Sequence, residues 1–144
     1  MPTRPMPTLD DVKRAVCESI DSQGERITKV GETIRRNPEL GFKEFKTARL
    51  VEETMREIGL QPKGGLALTG VRADAKGAKE GPTFALLGEL DGLVVAGHPV
   101  ADPATGAAHA CGHNAQVAGL LGAAMGLAGA KAYEHLAKIG RAHV

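Results

Sequence analysis

Over residues 104–132, 17 of 29 positions are alanine or glycine, and no Asp, Glu, Lys or Arg appears there before Lys131. The spacing predicts a helix over residues 114–132. Val117, Leu120, Leu121, Ala124 and Ala128 form one stripe, and Gly119, Gly122, Gly126 and Gly129 form another on the opposite side. A helix with two apolar faces is buried, and side chains this small require close approach by another backbone. A membrane Gly-xxx-Gly dimer is the weaker reading. The uncharged run contains Asn114 and Gln116 and falls short of the ~20 strongly apolar residues a spanning helix needs.

This helix opens on Thr105-Gly106-Ala107-Ala108-His109-Ala110-Cys111-Gly112-His113-Asn114, which holds one of the two cysteines and two of the five histidines. A thiolate and an imidazole two residues apart, with glycine between, can close on one metal ion. Gly112 lets the backbone turn both side chains toward one point, and a helix N-terminus favours thiolate over thiol. The plainer reading is a buried free cysteine beside a helix-capping histidine. Two acidic residues upstream, Glu89 and Asp91, bring metal binding level with it.

Those acids end an apolar run, Thr83-Phe84-Ala85-Leu86-Leu87-Gly88, which predicts a central strand buried on both faces. Ligand sites of open α/β sheets lie outside the carboxyl ends of such strands. Asp91 before Gly92 serves equally well as an ordinary turn residue. Further upstream, residues 1–7 form a proline-broken leader, and Thr8 can cap a helix with Asp10 and Asp11 in its first turn. Val12, Val16, Ile20, Ile27, Val30 and Ile34 recur at near-helical spacing. Gly24 suggests a break near residues 22–24, and Asn37-Pro38 ends the helix. A second helix is expected over residues 44–58, with Leu50, Val51, Met55 and Ile58 on one face and Gly59 as its C-cap. Residues 67–73 read as a strand interrupted by Gly70, 76–82 as a charged hairpin loop, and 94–105 as a loop with Pro99 and Pro103.

Composition narrows the function classes. A chain of 144 residues suits one domain. Its net charge of +1 gives no electrostatic reason to expect nucleic acid or an anionic membrane as partner, and the absence of Trp argues against base stacking. Two cysteines and no apolar leader point to a soluble protein of the reducing cytoplasm. No P-loop or Gly-x-Gly-x-x-Gly is present. The only serines, Ser19 and Ser22, lie in the first helix, which argues against serine hydrolysis. A cysteine protease would need His98 or His135 to approach Cys111, because His109 and His113 are too near in sequence.

Asn37-Pro38-Glu39-Leu40-Gly41-Phe42 with Glu44 and Thr47, then Thr69-Gly70-Val71, Gly88-Glu89-Leu90-Asp91-Gly92-Leu93 and His109-Ala110-Cys111-Gly112-His113-Asn114 follow one another in order. Together they resemble the aminoacylase and hippurate-hydrolase amidohydrolases, a branch of the di-metal peptidases, over about residues 35–127. The resemblance implies an α/β fold, the incomplete N-terminal part of a three-layer αβα zinc-exopeptidase-like catalytic domain. It implies metal ligation by Cys111 and His113, and Asp91 as the active-site acid that fixes the tautomer and aim of a ligand imidazole. His109 is expected to support the ligands or the fold. Two divalent ions are implied, zinc foremost and manganese or cobalt with more oxygen donors, together with a small-molecule amide substrate and a homodimeric full-length protein. In that family the general base, a paired-glutamate motif, and the remaining ligands lie downstream of this helix. Glu89 stands where relatives often have Asp or His, and Asn114 where many have Asp. Both departures point toward the aminobenzoyl-glutamate-hydrolase type.

Residues 139–144 follow no structural pattern, and codons of a common sequencing-adapter read can encode them. The expectation is a catalytic-domain portion at 1–138 and a non-native tail at 139–144. The alternative function is a small non-catalytic α/β module that binds a partner through the glycine-lined helix.

Overall fold

The computed structural model describes residues 7–136 and 142–143. Helix α1 (Leu9–Ser22) starts as the sequence predicts: Asp11 N–H donates to Thr8 Oγ1 at 3.2 Å, and Thr8 N–H donates back to Asp11 Oδ2 at 3.0 Å. This reciprocal cap satisfies two donors that a helix start otherwise leaves unpaired. The expected break falls at Gln23, and α2 (Gly24–Arg36) runs on to Asn37, whose position before Pro38 keeps it out of helix.

Helix α3 (Phe45–Glu57) takes its cap from a distance. The Glu39 carboxylate accepts the N–H groups of Lys46 and Thr47 and the Thr47 hydroxyl, at 2.8–3.1 Å. Gly59, at φ +86°, closes the other end one residue beyond the C-cap Ile58. Its N–H donates to the Arg56 carbonyl and that of Leu60 to the Met55 carbonyl, the paired pattern that a left-handed glycine permits.

Strands β1 (Lys63–Leu66) and β2 (Gly70–Ala73) pair antiparallel. The strand expected over 67–73 therefore begins only at Gly70, which opens it instead of interrupting it; Ala67 and Leu68 have positive φ and lie in the turn. Gly64 and Gly65 sit inside β1. Strand β3 (Leu86–Leu87) lies at one edge of a sheet ordered β1-β2-β6-β3, where β6 is Ala142–His143. Of the expected tail, only these two residues are described; 139–141 and 144 lie outside the described residues. Strands β4 (Leu93–Val94) and β5 (Ala107–Ala108) form a separate antiparallel pair, so the loop expected over 94–105 connects a hairpin.

The central-strand expectation for 83–88 is corrected. Only Leu86 and Leu87 are in strand, and Phe84 and Leu87 are 65% and 66% exposed. Among the described residues β3 pairs only with β6, so its two faces lack covering layers. An apolar run signals burial only if neighbours exist to bury it.

Helix α4 (His113–Gly129) is the centre of the core and packs on α1, α2 and α3. Val117, Leu121 and Met125 are fully buried with Ile34, Val51, Met55 and Val71, each such side chain contributing about 1.5–3 kcal/mol. The glycine stripe is covered at Gly122 and Gly126, whereas Gly119 is exposed. A Cβ on Gly126 would stand 3.1 Å from the Val16 carbonyl oxygen, and one on Gly122 would stand 3.1 Å from Ile27. Because α1 and α2 occupy this face at Gly122, Gly126 and Gly129, that part of it is not free to dock a partner as the interaction-module alternative requires. No helix of the described residues is long and apolar enough to cross a membrane.

Candidate metal centre

The segment from Gly88 to Gly92 leaves β3 and passes the N-terminus of α4. In extended chain, alternate side chains point the same way. Leu90 is buried in the core, while Glu89 and Asp91 both reach His113, the first residue of α4. Asp91 meets His113 Nδ1 twice, through its carbonyl oxygen at 2.9 Å and its carboxylate Oδ1 at 3.1 Å. Both are acceptors, so Nδ1 carries the proton and donates it. On the other edge of the ring, Nε2 lies 3.1 Å from Glu89 Oε2. The imidazole is 13% exposed and Glu89 63% exposed. The turn expectation for Asp91 is corrected: it lies outside any turn, in the segment leading to the Gly92 bridge with Leu40, and it holds a histidine.

The approach of α4 depends on Gly112, its N-cap, at φ +92°. A side chain at that φ strains the backbone. Cys111 lies just before it, a free and exposed thiol. Asp91 and His113 are therefore brought together, while Cys111, two residues before His113 on the turn, is exposed. Among the described residues no group of three His, Cys, Asp or Glu side chains is arranged to hold an ion. The donor types nonetheless fit a borderline divalent cation: a thiol, an imidazole fixed through its Nδ1–H, and carboxylates.

Several supporting residues carry no signal in spacing alone. Gln116 Oε1, on the first turn of α4, accepts the Glu89 N–H at 2.8 Å. Gly92 N–H donates to the Glu39 carbonyl at 2.7 Å. Its α-carbon is squeezed so that a Cβ would stand 3.1 Å from the Ala108 carbonyl oxygen. Glu44 is buried; it accepts the Phe42 N–H at 2.9 Å and the Thr69 hydroxyl at 2.6 Å. The four motifs noted in the sequence are therefore joined physically: Glu39 to Gly92, Gly92 against Ala108, Glu44 to Thr69, Asp91 to His113. A cleft of about 370 Å³ opens among Phe42, Glu44, Thr69, Glu89 and Asp91.

Two histidine-motif neighbours behave differently. His109 is buried, and neither ring nitrogen has a hydrogen-bond partner. Burial foremost, and the nearby His113, hold its pKa below the ordinary value, against the opposing pull of Asp91 and Glu39. Asn114 points away from the centre: its Nδ2 donates to the Gly31 carbonyl at 3.3 Å and ties α4 to α2.

No family model matches the chain. Among curated proteins it is 39% identical over 102 residues to thermostable carboxypeptidase 2 of Saccharolobus solfataricus, covering 68% of this chain and 26% of the relative. It is 41% identical over 90 residues to the N-acetyl-L-cysteine deacetylase of Bacillus subtilis, covering 60% and 22%. A solved Bacillus subtilis structure, a dinuclear metal-binding peptidase of the M20 family, superposes with a TM-score of 0.73 at 26% identity. That match covers 85% of this chain and 35% of the other. The chain spans about a quarter of the length of these curated relatives. The shared α/β fold, the ordered motifs and these matches make the chain a homologue of the metal-dependent amidohydrolases and peptidases of the M20 family.

Proposed function

We propose that residues 1–138 are the N-terminal portion of a catalytic domain that hydrolyses the amide bond of an N-acyl amino acid or related small amide with the help of divalent metal. The observation that carries this reading is the Asp91–His113 pair at the start of α4, beside Cys111. By accepting the Nδ1–H hydrogen bond, Asp91 fixes the imidazole tautomer and leaves the Nε2 lone pair for an ion. Cys111 supplies a thiolate two residues earlier. Thiolate plus imidazole favours zinc, whereas manganese or cobalt would draw on more oxygen donors. When bound, paired divalent ions polarise a scissile carbonyl and acidify a water. The cleft beside Glu89 and Asp91 has the volume of a small-molecule site.

The same reading places the protein in the cytoplasm, and the family resemblance supports a homodimer for the full-length form. It treats residues 139–144 as foreign to the natural chain. Genomic DNA around codon 138 tests this: the expected result is an open frame continuing into a Glu-Glu pair, and an authentic stop after Val144 contradicts it. The product of that frame should hydrolyse N-acyl amino acids, lose activity to a chelator and regain it with metal. The 144 residues alone should show no turnover, and robust turnover by them would overturn the reading.

A further inference from the structure

Resting on that reading, we propose that Phe42 selects the acyl group of the substrate, as the apolar wall of the cleft beside Asp91. Phe42 stands in a conformation that its own packing does not explain. It is the third residue of the turn Leu40–Lys43, closed by the Lys43 N–H donating to the Leu40 carbonyl at 2.9 Å. Its φ is +60°, a left-handed value that favours glycine and strains a bulky residue. Burial does not offset that strain, because Phe42 is 68% exposed. A buried carboxyl group holds it there: Glu44 Oε1 accepts the Phe42 N–H at 2.9 Å, and Glu44 Oε2 accepts the Thr69 hydroxyl at 2.6 Å. Backbone strain kept in place by its surroundings clusters where ligands are gripped.

The turn is also held in register with the candidate centre. Leu40 forms a parallel bridge with Gly92, the residue after Asp91. The backbone that presents Phe42 is thus paired with the backbone that presents the acid holding His113. Phe42, Leu66 and Ala67 line the same cleft of about 370 Å³ as Glu44, Glu89 and Asp91. Charge then decides which half of an N-acyl amino acid enters. The amino-acid half carries a carboxylate, and a simple acyl half carries none. The cleft is lined by three carboxyl side chains and, among the described residues, by no Lys, Arg or His. It therefore repels the carboxylate and admits the neutral acyl group. The exposed aromatic face offers that group apolar contact, more of it to a benzoyl ring than to an acetyl methyl.

The test uses the product of the frame that continues past codon 138, with N-acetyl and N-benzoyl derivatives of one amino acid as substrates. The ratio of kcat/KM for benzoyl over acetyl is compared in wild type, Phe42→Gly and Phe42→Tyr. Glycine suits the left-handed φ and so spares the fold, and tyrosine keeps the aromatic face. The ratio should fall about tenfold or more in Phe42→Gly, chiefly through KM, and be retained in Phe42→Tyr. An unchanged ratio in Phe42→Gly, or an equal fall in Phe42→Tyr, overturns the inference. So does a wild type that cleaves the acetyl substrate and not the benzoyl one. A lowered melting temperature of Phe42→Gly with an unchanged ratio would identify later chain, packed on the ring, as what covers Phe42. In each of these cases hydrolysis by wild type leaves the functional reading standing. An authentic stop after Val144, or no hydrolysis of any N-acyl amino acid by wild type, overturns that reading and the inference with it.

Discussion

Replacing Gly92 with alanine perturbs the point where three motif segments cross. An added methyl would lie 3.1 Å from the Ala108 carbonyl oxygen, 3.3 Å from the Ala108 carbonyl carbon and 3.4 Å from the Glu39 carbonyl oxygen. All three are main-chain atoms, so no flexible side chain can swing away. Strand β5 carries Ala108 and is paired to β4, which follows Gly92 directly, so moving one moves the other. Overpacking of this kind costs about 1–3 kcal/mol, and stretching the 2.7 Å Gly92–Glu39 hydrogen bond adds about 0.5–1.5 kcal/mol. The expected loss is roughly 2–4 kcal/mol, a large share of the about 5–15 kcal/mol that holds a domain together. Urea unfolding should show a lowered midpoint at unchanged slope. The His113 ring resonances should shift as well, because Asp91 is the adjacent residue. A loss below about 0.5 kcal/mol would refute the claim that this crossing is tightly packed.

Other consequences follow from single contacts. Gly119 has open space where a Cβ would go, whereas one on Gly126 would meet Ile20 within 3 Å. Gly119→Ala should therefore stabilise by up to about 1 kcal/mol and Gly126→Ala should destabilise by about 1–3 kcal/mol; thermal melts giving the same sign for both would contradict the packing described. Glu39→Ala removes the acceptor for the first turn of α3 and should cost about 0.5–2 kcal/mol, measured by urea unfolding. His109, held below its ordinary pKa near 6.5 by burial, is protonated more readily in the unfolded chain. Its contribution to stability is complete above that value and falls away as pH drops below it. His109→Asn should flatten that decline, and identical pH profiles for variant and wild type would show that this imidazole does not cause it.

How far the sequence could be read depends on what each residue interacts with. Helices α1 to α4 were legible because their apolar spacing, their caps and Asn37-Pro38 are local signals. The β1–β2 turn was not, since Ala67 and Leu68 take up left-handed backbone that favours glycine. The run at 83–88 misled because hydrophobicity was read as burial, and burial depends on partners absent among the described residues. At the candidate site, Asp91 and His113 were foreseen and meet. Glu89 was noted as acidic, yet its reach to His113 depends on strand alternation carried past the strand's end. The structural work of Glu39, Glu44 and Gln116 depends on contacts far apart in sequence. The motif resemblance marked two of the three without saying what they hold.

The central claim is that Cys111 and His113 bind one ion. X-ray absorption at the zinc edge of the Zn²⁺-loaded chain tests it most directly. The account predicts one sulfur scatterer at about 2.3 Å and an imidazole shell at about 2.0–2.1 Å, with the sulfur lost in Cys111→Ser. A spectrum with only oxygen and nitrogen neighbours, unchanged by Cys111→Ser, would contradict it.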